Sequence, residues 1–312
     1  DPSFLYKAAD SACIPGAGAG WNFTAGNSNW LDDHPGRHGT TVTKFITDEA
    51  ERYRQNNVAI LPVKIFASDG TGDLYSILCG FAYAGNRKVD IINASFGYYE
   101  SRHKYDSSGG TMDAFTAPVL LKAFIEEHLT KHNILLITAA GNKDDGLEDP
   151  AYDPADPLQQ RNLDSVYFYP ASLAPVLPNV IAITTVYKDQ VSPTQNFSNH
   201  VVDAGVHADG TDNAGHFYFL NPVNAALLPV SGSSFAAPVA AGKYAAWYHT
   251  YKNLLSAPVT FGVKDSIFSV LKNQPVPGFL YNEPGLADKV KDGKVINKAV
   301  NANQQALFSL QR

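Results

Sequence analysis

The sequence is poor in sulfur and in charged side chains, and these shortages exclude several classes of protein. Its 312 residues include only two cysteines and one methionine. Two cysteines cannot build a disulfide-rich scaffold, and no cysteine or histidine spacing typical of zinc is present, so no metal site is expected. No apolar run reaches the roughly 18–20 residues that span a bilayer, so no membrane span is expected.

Positive charge is also scarce. Only 17% of the residues are charged, and 30 acidic against 24 basic side chains give a net charge of −6. Nucleic acids and anionic membranes attract basic surfaces, so neither is expected as a partner. The hydrophobic fraction of 45% over this length predicts one large α/β domain or two ordinary ones.

The middle of the chain alternates short apolar runs with amphipathic stretches. The amphipathic stretches have helical spacing, for example at Leu74, Ile77, Leu78 and Phe81. The β-branched, apolar runs predict strands at residues 58–66, 89–93, 133–138 and 180–186. Continuous apolar strands separated by helices are typical of a parallel sheet covered on both faces, which predicts a doubly wound α/β fold.

Three polar residues occur where such a fold carries its chemistry, in loops next to strand ends and helix starts. His38 precedes a helix, Ser234 begins a helix of small residues, and Asn142 directly follows a buried strand. Each alone has an ordinary explanation as a surface histidine, a helix cap or a turn asparagine. Together they offer a base, a nucleophile and an amide donor for an oxyanion.

The motifs around these residues resemble those of the subtilisin-like serine proteases, and they occur in the family's order. They are His-Gly-Thr at 38–40, Ala-Gly-Asn at 140–142 and Gly-Ser-Ser-Phe-Ala-Ala-Pro at 232–238, where serine and phenylalanine replace the usual threonine and methionine. Residues 90–97, 169–172, 179–183 and 293–300 are also similar to family segments. The resemblance implies a three-layer α/β/α fold with a mostly parallel central sheet, a peptidase domain over residues 1–305 and a tail at 306–312.

The resemblance also implies a function and a set of site residues. Ser234 would be the nucleophile and His38 the general base and then acid, while the Asn142 side chain and the Ser234 backbone N–H would hold the oxyanion. The implied activity is that of a serine endopeptidase acting through an acyl-enzyme on polypeptides. Substrate would bind as an extended strand along two segments, Ser95, Phe96 and Gly97, and Gly72, Asp73 and Leu74.

The family's catalytic aspartate, which ends an apolar strand and precedes Ser or Thr and then Gly, has no match. Asp10 is a weak candidate, because the preceding residues make a poor strand and the glycine is missing, while Asp32 and Asp33 lie too near His38. We therefore expect that strand and its aspartate upstream of Asp1. The mismatch leaves open a second hypothesis, a catalytically impaired relative that binds extended peptides without cleaving them. An α/β-hydrolase is excluded, because its histidine follows its nucleophile and no Gly-x-Ser-x-Gly elbow occurs here.

No cofactor is expected to be required. Structural calcium is possible but not predicted, because the acidic residues between 144 and 156 are better explained as a solvated loop. Cys79 falls within a helical pattern and is expected to be a buried free thiol rather than a partner of Cys13. The family implies a secreted or cell-envelope monomer.

Overall fold

A computed structural model describes residues 19–52, 58–99, 116–142, 161–209, 215–221, 226–255, 264–266 and 280–296. The helices in these ranges are α1 (His38–Arg52), α2 (Leu74–Asn86), α3 (Thr116–His128) and α4 (Ser233–Leu255). The strands are β1 (Trp21–Asn22), β2 (Val63–Lys64), β3 (Ile91–Ala94), β4 (Tyr98–Tyr99), β5 (Leu135–Ala139), β6 (Phe168–Tyr169), β7 (Val180–Tyr187), β8 (Gln190–Val191), β9 (Ala204–His207), β10 (His216–Leu220), β11 (Leu227–Ser231), β12 (Leu280–Asn282) and β13 (Lys294–Ile296).

A mostly parallel sheet forms the centre of the fold, as the apolar runs predict. Its strand order is β12-β13-β9-β7-β5-β3, and the pairs from β13 through β3 are parallel. β12 and β8 are antiparallel additions to β13 and β7. β1 pairs with β2 in a separate parallel ladder, β4 with β6 in an antiparallel one, and β10 with β11 in a hairpin.

Alternation along the buried strands divides the core between the two faces of the sheet. Leu135 and Ile137 of β5 pack into a cluster that includes α1, α4 and β10. Leu136, one position along, packs instead with α2 and α3. The sheet is therefore covered by helices on both faces, which confirms the three-layer α/β/α architecture.

The two helices that carry His38 and Ser234 pack directly against each other. The His38 ring contacts the Phe235 ring near the start of both helices, and Glu49 of α1 meets Lys243 of α4 further along. α1 and α4 therefore run in the same direction, with their N-termini at the same end. This packing brings together two motifs that are about 200 residues apart in sequence.

Candidate active site

The start of α1 is organised by Asp32. Its Oδ2 atom accepts hydrogen bonds from the backbone N–H and the hydroxyl of Thr40, both at 2.8 Å, and its Oδ1 atom accepts from the N–H of His34 at 3.2 Å. A carboxylate in this position caps the exposed N–H groups of the first turn. His38 is the first residue of this helix, so the cap also fixes the backbone from which its imidazole projects.

The His38 imidazole lies half-buried against α4. Its ring centroid is 5.2 Å from that of Phe235, the residue after Ser234. Burial lowers the pKa of His38, the negative charge of Asp32 partly counteracts this, and His34 lowers the pKa further. The balance favours a neutral imidazole near neutral pH, which is the form that can accept a proton.

The turn before α4 places Ser234 in the first turn of that helix. Gly232 has a φ of +128°, a conformation that residues with a side chain rarely adopt, and a Cβ there would lie 3.3 Å from Oδ1 of Asn142. Ser233 then joins the two segments, because its Oγ accepts a hydrogen bond from the N–H of Gly141 at 3.0 Å. The half-buried Ser234 thus lies beside the segment that carries Asn142.

Asn142 follows β5 and is exposed, with its side chain at the start of α4. Its Oδ1 accepts from the N–H of Ser233 at 3.2 Å. Among the described residues no hydrogen bond involves its Nδ2. An amide donor beside a helix N-terminus, where backbone N–H groups also point outward, suits a developing oxyanion.

A model of the subtilase family matches residues 20–274, a range that contains His38, Asn142 and Ser234. The chain belongs to the subtilase family. The match begins beyond Asp10 and ends before β12 and β13.

The individual relatives have low sequence identity to this chain or match only a small part of it. The cell wall-associated protease of Bacillus subtilis (strain 168) is 35% identical over 83 residues, which make up 25% of this chain and only 9% of that protein. A lanthipeptide protease structure is 19% identical with a TM-score of 0.60, covering 93% of this chain and 80% of the other. A cold adapted subtilisin-like serine proteinase is 15% identical with a TM-score of 0.54, covering 90% and 81%. These structures share the subtilisin-like fold.

The first predicted substrate segment of this subtilase connects β3 to β4 and belongs to neither strand. Ser95 is buried and its hydroxyl accepts a hydrogen bond from Asn93 at 2.9 Å, while Gly97 is exposed. The Phe96 ring packs inward, 5.3 Å from the Phe66 ring. The segment is thus held by its side chains at the carboxyl end of β3.

The second predicted substrate segment, residues 72–74, is extended only at its start. Gly72 forms a single β-bridge with Phe66, but Asp73 is the N-cap of α2 and accepts from the N–H of Ser76 at 2.7 Å. Leu74 is already the first residue of the helix. The capping preference of aspartate ends the extended backbone one residue after Gly72.

Sequence reasoning missed the residues that hold the Asn142 segment in place. Asn196 Nδ2 donates to the carbonyl of Ala140 at 2.9 Å and to the hydroxyl of Tyr99, which itself donates to the carbonyl of Asn142. The backbone of Gln195 forms an isolated antiparallel β-bridge with Asn142, and the Oε1 atom of Gln195 accepts from the N–H of Ser233. Tyr99, Gln195 and Asn196 lie 43, 53 and 54 residues from Asn142 in sequence, so no local pattern indicated them.

The triad is incomplete within the described part of the chain. No carboxylate there hydrogen-bonds the His38 ring, and no hydrogen bond joins His38 to Ser234. Asp10, the weak candidate for the acid, lies outside the described residues. Catalytic hydrogen bonds are often long before substrate binds, so the second finding is compatible with a His38–Ser234 pair.

Several other predictions also concern residues outside the described ranges. The acidic stretch between 144 and 156, the tail at 306–312 and Cys13 lie outside the described residues. Across the ranges that are described, no group of three or more histidine, cysteine or acidic side chains has the arrangement of a metal site. Cys79 is a free thiol on α2 and is half-buried rather than fully buried. No helix in the described ranges has the length and hydropathy to cross a membrane.

Proposed function

We propose that this subtilase is a serine endopeptidase that works through an acyl-enzyme. In this proposal the Ser234 hydroxyl attacks the peptide carbonyl, and His38 accepts its proton and then donates it to the leaving amine. The Asn142 amide and the backbone N–H of Ser234 hold the oxyanion that forms. No cofactor takes part in these steps.

One observation carries the proposal. The 3.2 Å hydrogen bond from the N–H of Ser233 to Oδ1 of Asn142 brings the asparagine to the N-terminus of the helix that carries Ser234. The opposite side of the same amide group, Nδ2, has no partner among the described residues. A nucleophile and an unpaired donor held side by side are what acyl transfer requires.

The proposed substrates are polypeptides in extended conformation. The backbone of Ser95–Gly97 lies between two strands at the carboxyl end of β3, where an added strand could form main-chain hydrogen bonds. Binding through the main chain predicts tolerance of many side chains. Gly72 could form the second edge only over a short length, because α2 begins two residues later.

The acid of the triad is proposed to come from outside the described residues. β2 pairs with β1 alone, and β3 pairs with β5 alone, within the described chain. Val63, Ile91 and Ile92 on these strands are only half-buried, unlike β5 and β7. A further strand paired with these edges would bury them, and we propose that such a strand carries the acid.

Active-site labelling tests the proposal. A fluorophosphonate probe is expected to label the wild type, and casein is expected to be cleaved. Ser234→Ala should abolish both, whereas Ser231→Ala, an exposed serine on β11, should retain both. Casein cleavage that survives in Ser234→Ala contradicts the proposed nucleophile.

The second candidate is a catalytically impaired relative that binds extended peptides without cleaving them. The observation that favours it is the absence of a carboxylate bonded to His38 in the described chain. Loss of the acid costs roughly four orders of magnitude in turnover in enzymes with this triad. Peptide binding by a wild-type protein that the probe does not label would favour this candidate.

The setting of the protein is also a proposal. We propose a monomer that acts outside the cell or in the cell envelope, which agrees with the cell-wall association named for the Bacillus subtilis relative. Fractionation of the producing cells and light scattering of the purified protein test these two statements.

A further inference from the structure

A buried ion pair joins the helix of His38 to the helix of Ser234. The Nζ atom of Lys243 on α4 lies 3.2 Å from Oε2 of Glu49 on α1, and the two side chains are only 3% and 1% exposed. Three other pairs each join residues only four positions apart in sequence, namely Lys44–Asp48, Lys122–Glu126 and Lys131–Glu127. The Glu49–Lys243 pair instead crosses the interface between α1 and α4.

Stability alone does not account for this pair. Removing two charges from water carries a large desolvation cost, and apolar replacements of buried pairs are often neutral or stabilising. Burial does lower the pKa of Lys243, although the charge of Glu49 counteracts the shift. A buried pair does, however, penalise any arrangement in which the two charges separate.

Near the N-termini of the two helices, the Phe235 ring of α4 packs on Phe45 and His38 of α1, whereas the Glu49–Lys243 pair lies further along both helices. At Gly242 the helices almost touch, because a Cβ there would lie 2.7 Å from the carbonyl oxygen of Ile46 and from Cβ of Glu49. Besides Ser233 and Phe235, the buried residues of α4 before this point are Pro238, Val239 and four alanines, namely Ala236, Ala237, Ala240 and Ala241. Alanine contacts are non-directional, and a slide of one residue moves a helix by only about 1.5 Å.

Such a slide would change the relative positions of the two N-termini, which carry His38 and Ser234. His38 is the first residue of α1, and Ser234 is the second residue of α4. The His38 ring already contacts Phe235, next to the nucleophile. A misplacement of about 1 Å between reacting groups can cost on the order of 100-fold in rate.

We propose that Glu49 and Lys243 form a positioning pair that fixes the register of α1 against α4 and thereby the placement of the His38 imidazole beside Ser234. The kinetic consequence rests on the proposed protease function, whereas the register itself does not. Neither residue touches substrate.

Two double variants test the pair. Glu49→Leu/Lys243→Met removes both charges at similar volume. We expect an unchanged or higher melting temperature, a kcat and a rate of fluorophosphonate labelling about 10–100-fold lower, and a KM within about threefold of wild type. Glu49→Gln/Lys243→Gln keeps a directional hydrogen bond without charge, and we expect its kcat to lie within about threefold of wild type.

The matched control removes an ion pair that does not cross the interface. Lys122→Met/Glu126→Leu on α3 should leave kcat and KM unchanged. A merely structural role for Glu49 and Lys243 would move the melting temperature without separating kcat from KM. Wild-type kcat in the leucine–methionine variant overturns the proposal. If that variant fails to fold, a tenfold loss of kcat in a folded glutamine–glutamine variant also overturns it.

A readout without activity separates this inference from the proposed function. Crystal structures of the wild type and the leucine–methionine variant should differ by a shift of α1 along α4, and an unchanged register overturns the proposal. If the probe does not label the wild type and casein is not cleaved, the proposed function fails. The comparison of crystal structures still decides whether the pair fixes the register of α1 against α4.

Discussion

The amide of Asn142 can be tested for oxyanion binding separately from its structural bond. Asn142→Asp keeps an oxygen that can accept from the N–H of Ser233, now at 3.2 Å, but it lacks the N–H donor. Asn142→Ala removes both. Loss of one oxyanion donor lowers kcat by about 10²–10³, or roughly 2.7–4 kcal/mol, a range measured in another member of this family. The structural bond, to an exposed side chain, should contribute only about 0.5–1.5 kcal/mol to folding.

The two variants therefore have different expected profiles. Asn142→Asp should lose at least as much kcat as Asn142→Ala, because its negative charge also repels the oxyanion, yet it should be the more stable of the two. Initial rates on a fluorogenic peptide give kcat and KM, and thermal melts give the stability. Asn142→Leu serves as an uncharged control without donor or acceptor. An Asn142→Asp variant with a kcat within threefold of wild type would refute the assignment of this amide to the oxyanion.

Two further predictions concern α1. Asp32→Asn keeps the cap oxygen for Thr40 but removes the charge that raises the pKa of His38. The acid limb of kcat/KM, where protonation of the imidazole abolishes activity, should therefore move to lower pH. A shift to higher pH in a full pH–rate profile contradicts this prediction. Phe45→Ala should destabilise the fold by about 3–5 kcal/mol in chemical denaturation, because this fully buried ring packs edge-on against rings of β10 and α4, and Phe45→Leu should cost less than half as much. A loss below about 1 kcal/mol in Phe45→Ala would show that the interface repacks.

The buried strands were the most predictable part of the fold. β5 and β7 are continuous apolar runs, and burial on both faces of a parallel sheet requires such runs. The predicted strand over 58–66 narrows to Val63–Lys64, flanked by single bridges, because the described chain gives it a partner on one side only. The hairpin β10–β11 was not predicted, since Pro229 interrupts its second strand pattern.

Among the site residues, those with local signatures were predictable. His38 and Ser234 are the first and second residues of their helices, and Asn142 follows β5 by three residues, so short motifs fix their local geometry. The support of Asn142 by Gln195 and Asn196, and the meeting of Glu49 with Lys243, depend on which elements pack together. Such long-range contacts leave no periodic pattern in one sequence.

The direct packing of α1 on α4 has a consequence for biosynthesis. A ribosome adds about 5–20 residues per second, so on the order of ten to forty seconds separate the synthesis of His38 from that of Ser234. Throughout this interval the nascent chain contains the proposed base but not the proposed nucleophile, and the Asn142 amide is added about halfway through it. If the proposed protease function holds, the order of elements along the chain delays cleavage until β3, β5, β7 and β9 of the central sheet have been translated.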